Sequence, residues 1–279
     1  MTATTNSYLT DDQLATFWQQ GYLLLKGILT PQEIASARGA ILNMIPRDMV
    51  FPEYFHSSQG RLKPYNPDGS QSFYTAELLP LLCNEQLYGA AADILESDYL
   101  HTSDGSVGIS LKDSGAAGLI QRLHLDMEQP KPEELSAEHV RYQVGIGGCY
   151  YLTDVEQNGA GIHVIPEGPR MVEDIMLNED DGLTRFENWR NINELAPSLE
   201  VTGEAGDFVL MHHMMPHGAS RNKNPSPRIA QFTRLYRLSE EEAREVAEPD
   251  HLLAPGAEVA LTELGRKLFR LAQIGRAHV

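Results

Sequence analysis

The sequence predicts an α+β fold, an antiparallel β sandwich or barrel with helices ahead of it and behind it. From residue 106 to 237, short apolar runs recur between turn-forming residues at a spacing that suits a sandwich or barrel and not alternating β-α units. Outside that region, apolar residues recur every three or four positions behind capping boxes, the mark of amphipathic helices. With 279 residues, 42% of them hydrophobic, the chain is long enough for one well-packed core with decorations.

The N-terminal part, residues 1–105, reads as mainly helical. Thr10 and Gln13 have capping-box spacing before Leu14, Phe17 and Trp18, and Gly21 stops that helix. GYLLLKG, 21–27, reads as a buried strand; Thr30, Pro31 and Glu33 then open a second helix that should run to about Ile45. Residues 46–75 are rich in Pro, Gly, Ser, Asn and Tyr and read as a loop, and 76–96 as a helical pair around Pro80. The β core follows in SVGISLKD, GLIQRLHLD, QVGIGGCYYL, GIHVIP, SLEVT, DFVLMHH and RIAQFTRLYR. It is interrupted at 169–198 by a mostly helical, acidic insertion of the length typical of a lid; 127–142 is a second candidate lid. Residues 238–273 return to helix behind Ser239 and Glu242. The last six residues, IGRAHV, are the translation of one frame of a widely used sequencing adapter, so 274–279 are expected to be an artefact. No repeat or linker divides the chain, and a single domain is expected.

Composition narrows the function. A formal charge of −17, from 39 acidic and 22 basic residues, disfavours nucleic acid and anionic membrane as partners. Cys83 and Cys149 are the only cysteines, without zinc-ligand spacing, and are expected to be buried thiols in a reducing compartment. The N-terminus has neither a basic nor an apolar leader region, and no apolar run approaches the roughly 20 residues that span a bilayer. A cytoplasmic protein acting on a small molecule is the expectation.

The chemistry concentrates in two stretches. In RLHLDM, 122–127, His124 and Asp126 are two apart, so on a strand they share a face and the two leucines take the other. In FVLMHHMMPHGASRN, three histidines, His212, His213 and His217, compete to join them; on a strand His213 and His217 would share a face if Pro216 leaves the register intact. Two histidines and one carboxylate leave three positions open on Fe(II), whereas zinc takes four protein ligands, or three and a water. Arg228, eleven residues after His217 on the next strand candidate, is either a surface ion pair or a fork for a carboxylate.

HLD, the run DVEQNGAGIHVIPEG, the GD of EAGDFVLMHH, His217-Gly218, Asn222 and Arg228 occur in an order that resembles the phytanoyl-CoA dioxygenase family. LTDDQLATFWQQGYLLLKGILTPQEI also resembles that family's opening, so the likeness covers roughly residues 8 to 237. The resemblance implies a double-stranded β-helix of the jelly-roll or cupin type and an Fe(II)- and 2-oxoglutarate-dependent oxygenase using O2. It implies that His124, Asp126 and His217 bind Fe(II) and that Arg228 pairs with the distal carboxylate of 2-oxoglutarate. Gly206-Asp207 would form the turn entering the strand that leads to His217. Tyr150 matches a position where the family often sets an aromatic beside 2-oxoglutarate; as a residue it reads equally as core. The chain departs from the family in two places. Ala219 stands where a Ser commonly assists the co-substrate, with Ser220 one place later, so either Ser220 substitutes or that hydrogen bond is absent. Glu167-Gly168-Pro169 stands where GSH is usual.

Asp126 favours hydroxylation over halogenation, because related halogenases leave that ligand position to halide. The acidic lids disfavour a coenzyme A thioester and favour a small metabolite or natural-product intermediate. A non-catalytic metal-binding barrel, a sensor or scaffold, would explain the strands and H-x-D but leave Arg228 without a purpose.

Overall fold

The structure is a computed structural model that describes residues 7–46, 55–58, 60–66, 69–120, 122–126, 145–178, 192–244 and 253–271. Helix α1, Asp11–Gln20, starts where the Thr10 side chain accepts from the Gln13 amide and Gln13 Oε1 accepts from the Thr10 amide in return. It ends at Gly21, whose φ of 80° is left-handed and where a Cβ would also collide with the Pro169 ring. Strand β1, Tyr22–Leu25, follows, then α2, Pro31–Asn43, behind the same capping box from Thr30 and Glu33. Helices α3, Leu79–Leu82, and α4, Glu85–Leu95, form the helical pair, the latter capped by Asn84.

Two antiparallel sheets make the jelly-roll core. The larger uses β1, β2 (Phe55–Ser58), β3 (Arg61–Pro64), β4 (Leu100–Ser110), β5 (Ile146–Tyr151), β8 (Phe208–His212) and β10 (Arg228–Arg237), in the order β1-β8-β5-β10-β4-β3-β2. The smaller runs β7-β6-β9, from Leu199–Val201, Ile162–Val164 and His217–Ala219. Between the sheets lie Cys149, Tyr151, Val209, Met211 and Ala230 of the large one against Ile162, Val164 and Val201 of the small one. The opposite face of the large sheet packs Leu23, Val107, Ile109, Tyr150, Phe208, Leu210 and Ile229 against Phe17, Ile41, Leu87 and Ile94 of the helices. This period-two division of each strand decides which residues can reach a site between the sheets.

Helix α5, Gly168–Asn178, and a short 3-10 turn, Ile192–Glu194, cover one end of the sandwich, and α6, Glu263–Leu268, packs behind β4. Among the described residues no helix is long and apolar enough to cross a membrane.

Three expectations are corrected. Residues 46–75 are not all loop: β2 and β3 form a hairpin at Gly60, φ 77°, that extends the large sheet. The described residues of GLIQRLHLD form no strand; they meet the chain after β9 at the bridge Leu119–Ser220 and β9 itself at His124–His217, while Leu119, Leu123 and Leu125 pack with the cluster beneath α5. The strand expected from 106 begins at Leu100. The 127–142 lid, the middle of the 169–198 insertion and residues 274–279 lie outside the described residues.

Candidate metal and co-substrate site

The H-x-D segment is aimed by its leucines. Leu123 and Leu125 are buried with Ile165, Val172, Ile175 and Met214 beneath α5, and the Leu123 amide donates to Asn193 Oδ1 at 3.0 Å. His124 and Asp126 therefore project to the other side, as alternation requires, although the segment holds only one bridge to β9. In that bridge His124 and His217 exchange both backbone hydrogen bonds, each 2.9 Å, which sets the two imidazoles side by side with centroids 4.4 Å apart.

The three side chains converge. His124 Nε2 is 3.6 Å from Asp126 Oδ1, and His217 Nε2 is 3.4 Å from Asp126 Oδ2. One ligand atom from each lies within 4.8 Å of the others. His217 Nδ1 donates to the Met215 carbonyl at 2.9 Å, which turns Nε2 toward the cluster. Burial, with His217 beside it, pushes His124 down to about 4, which leaves it a neutral imidazole with a donor pair at neutral pH. For Asp126, burial works to raise the carboxyl, but the positive charge around it, that of Arg234 at 2.8 Å included, outweighs burial and holds the group below its usual range. Two imidazole nitrogens and one carboxylate oxygen fit a divalent metal that keeps open positions.

His212 and His213 are not part of the cluster. A turn closed by the Met215 amide on the His212 carbonyl, 2.8 Å, separates β8 from β9, so His213 and His217 do not share a strand face. The two rings stack on each other at 4.3 Å; His212 Nδ1 accepts from the Met214 amide and also meets Phe17 and Trp18. Both line the cavity above the cluster, together with Gly147, Met211, Arg234 and Tyr236.

Arg228 opens β10 on the face between the sheets and is 3% exposed. Its Nη2 reaches Cys149 Sγ at 3.8 Å, its guanidinium lies 5.7 Å from the ring centroids of Tyr151 and Phe232, and Nε has no partner. No described carboxylate pairs with it. A buried guanidinium with no anion partner is costly unless a ligand supplies the anion. The Cys149 thiol beside it, pushed up to about 11 by burial, stays protonated and supplies no charge. Cys83 is likewise a buried free thiol.

Tyr150 is placed on the other face. Its hydroxyl donates to the Leu81 carbonyl at 2.8 Å and its ring packs on Phe208 at 4.6 Å, in the helix-side core and away from Arg228. The tyrosine beside Arg228 is the next residue, Tyr151, whose hydroxyl donates to the Val201 carbonyl and accepts from the Ile162 amide. Ser220 is turned away too: its hydroxyl donates to the Gly161 carbonyl at 2.9 Å near Glu200, while Ala219 shares the face of His217. The Gly206-Asp207 turn is present, Gly206 at φ 101°, and Asp207 accepts from the Gly27 and Glu204 amides, tying the end of β1 to the start of β8.

The sequence reading missed Arg234. Its Nη2 is 2.8 Å from Asp126 Oδ2 and its Nε 3.5 Å from Asp104. The signal was available, since Arg234 stands an even number of residues after Arg228 on one strand and so shares its face.

Residues 17–230 match the family model of phytanoyl-CoA dioxygenase (PhyH). Similar solved structures include the non-heme alpha-ketoglutarate-dependent carbocyclase SnoK from nogalamycin biosynthesis, 19% identical over 94% of each chain with a TM-score of 0.56. HygX from Streptomyces hygroscopicus, solved with nickel, 2-oxoglutarate and hygromycin B, is 17% identical over 82% of this chain and 88% of its own, TM-score 0.56. EctD from S. alaskensis with bound Fe is 16% identical over 85% of this chain and 79% of its own, TM-score 0.55. At these identities the structures speak for a common fold. No curated protein matches the sequence.

Proposed function

The chain belongs to the phytanoyl-CoA dioxygenase family, whose members are Fe(II)- and 2-oxoglutarate-dependent oxygenases, and we propose that it hydroxylates an aliphatic C–H bond of a small metabolite or natural-product intermediate. His124, Asp126 and His217 would hold Fe(II), and Arg228 the distal carboxylate of 2-oxoglutarate. When bound, the iron supplies oxidation of a C–H bond by O2, coupled to conversion of 2-oxoglutarate into succinate and carbon dioxide.

The observation that carries the reading is Arg228, a buried cation with no described anion, on the same face between the sheets as the His-Asp-His cluster. The chain's residues divide the remaining work. The hydrogen bond from His217 Nδ1 to the Met215 carbonyl would leave Nε2 to coordinate. Arg228 would fix the far end of the co-substrate, with Tyr151 and Phe232 excluding water around its guanidinium. Asp126 would fill a ligand position, which favours hydroxylation over halide transfer. Gly147, Met211, His213 and Tyr236 would form the wall against which a substrate carbon is positioned. HygX was solved with hygromycin B and SnoK comes from nogalamycin biosynthesis, which supports a small-molecule substrate of the natural-product kind.

Anaerobic titration with Fe(II) and 2-oxoglutarate tests the site: a visible charge-transfer band should form and be lost in His217→Ala and Asp126→Ala. Iron binding without any response to 2-oxoglutarate would refute the assignment. Succinate release against a panel of free metabolites and acyl-CoA thioesters tests the substrate class, and turnover confined to the thioesters would overturn it.

A further inference from the structure

We propose that Arg61 of β3 is a second guanidinium for the distal carboxylate of 2-oxoglutarate, bridging it with Arg228 in place of the family's serine hydroxyl. The inference rests on the reading of Arg228 given above and extends it to a residue on a different strand. Both Arg61 and Arg228 stand opposite Ser110 of β4, one on each side. Directly opposed residues of antiparallel strands share a face, so the three form a row, with the outer two Cα atoms about 10 Å apart at two strand spacings. The face is the one between the sheets, because the intervening Leu62 and Ile109 lie in the helix-side core. Side chains of arginine length starting that far apart and pointing the same way reach a single carboxylate between them.

Two further observations point to an anion there. The Arg61 side chain has no hydrogen bond or ion pair with any described residue, and Arg228 has only its contact with the neutral Cys149 thiol, although both are largely removed from water. Burial, and after it the Arg228 charge, make the Arg61 guanidinium easier to deprotonate, as expected of like charges brought together with no counter-ion. Next, the hydroxyl that would ordinarily assist is missing: Ala219 occupies that face and Ser220 bonds to Gly161 on the other. A chain lacking the neutral donor has placed a charged one in the same row as Arg228.

The test is the affinity of the Fe(II)-loaded protein for 2-oxoglutarate, measured anaerobically by calorimetry, with Fe(II) affinity measured alongside as the check on folding. Arg61→Met should weaken 2-oxoglutarate about tenfold or more and Arg61→Lys less, both with Fe(II) affinity retained. If Arg61→Met fails to hold iron, Arg61→Lys carries the test, with about threefold weakening expected. Affinity within twofold of the unmodified protein in the iron-competent variant would overturn the proposal. Arg228→Met separates this from failure of the broader reading: loss with Arg228→Met alone refutes only the bridge, whereas no loss with either refutes the co-substrate site itself.

Discussion

Arg234 Nη2 stands 2.8 Å from Oδ2 of Asp126, and the arginine is itself held from two sides. Beneath it lies Gly147, its partner on β5, where a Cβ would come within 3.1 Å of Arg234 Cγ. Beside it is Asp104, in a bulge of β4 where Asp104 and Gly105 both adopt φ of 77°, which turns the Asp104 carboxylate to 3.5 Å from Arg234 Nε. One oxygen of the candidate iron-binding carboxylate is therefore oriented by a cation fixed by the sheet.

Replacing Arg234 by Met should weaken Fe(II) binding by about tenfold, within the range for removing a group that orients a metal ligand. Two effects compete, since the cation also repels a divalent metal. Orientation is expected to dominate, because both partners are about one-third exposed and solvent screens the repulsion. Fe(II) titration decides the matter: tighter binding in Arg234→Met would mean that the arginine competes with the metal for Asp126.

Gly147→Val should reproduce much of that loss without touching a charged group. Its Cβ would come within 3.1 Å of Arg234 Cγ, and the added methyl groups should push the guanidinium away from Asp126. Combining it with Arg234→Met should add little in Fe(II) affinity, as expected of two changes acting through one contact. Full additivity in a double-mutant cycle would show that Gly147 acts by another route.

The helices were legible in the sequence because their starts are written locally: Thr10-Gln13 and Thr30-Glu33 need only neighbours in the chain. The His-Asp-His cluster was legible for a similar reason, since alternation and the family's motif order name all three residues. The hairpin carrying Arg61 was hidden because Gly, Pro, Ser and His mask its alternation, and its partners on β4 lie about fifty residues away. Tyr150 shows the limit of matching by position alone. A one-residue difference in a strand exchanges the two faces of the sheet, and only the register reveals that Tyr151 faces Arg228.

That exchange separates Tyr150→Phe from Tyr151→Phe. Removing the Tyr150 hydroxyl leaves the buried Leu81 carbonyl without its donor and should cost about 1–3 kcal/mol of stability, with 2-oxoglutarate affinity unchanged. Removing the Tyr151 hydroxyl loses a bond to each of Val201 and Ile162, so it should loosen the small sheet where it faces Arg228 and lower both stability and 2-oxoglutarate affinity. Denaturant melts and calorimetry on the two variants are the check; weaker 2-oxoglutarate binding in Tyr150→Phe would restore Tyr150 to the site.

His101 should make the docking of α6 sensitive to acid. Its Nδ1 lies 2.9 Å from the Leu268 carbonyl at the end of that helix. Burial lowers its basicity, the Leu268 carbonyl partly restores it and the Arg270 charge lowers it again, with a net value below the ordinary 6.5. Since the folded chain binds this proton less readily than the unfolded one, the stabilising contribution is complete above pH 6.5. It is lost as pH falls from there through the lower folded-state value, because the unfolded chain then takes up protons first. The depressed carboxyls Asp113 and Glu242 act in the same direction, but at pH values below their ordinary 3.8 and 4.5. His101→Gln keeps a donor for Leu268 and removes the titration. Its urea midpoint should therefore fall less than that of the unmodified chain between about pH 7.5 and pH 5.5, and equal slopes would assign the acid sensitivity to other groups.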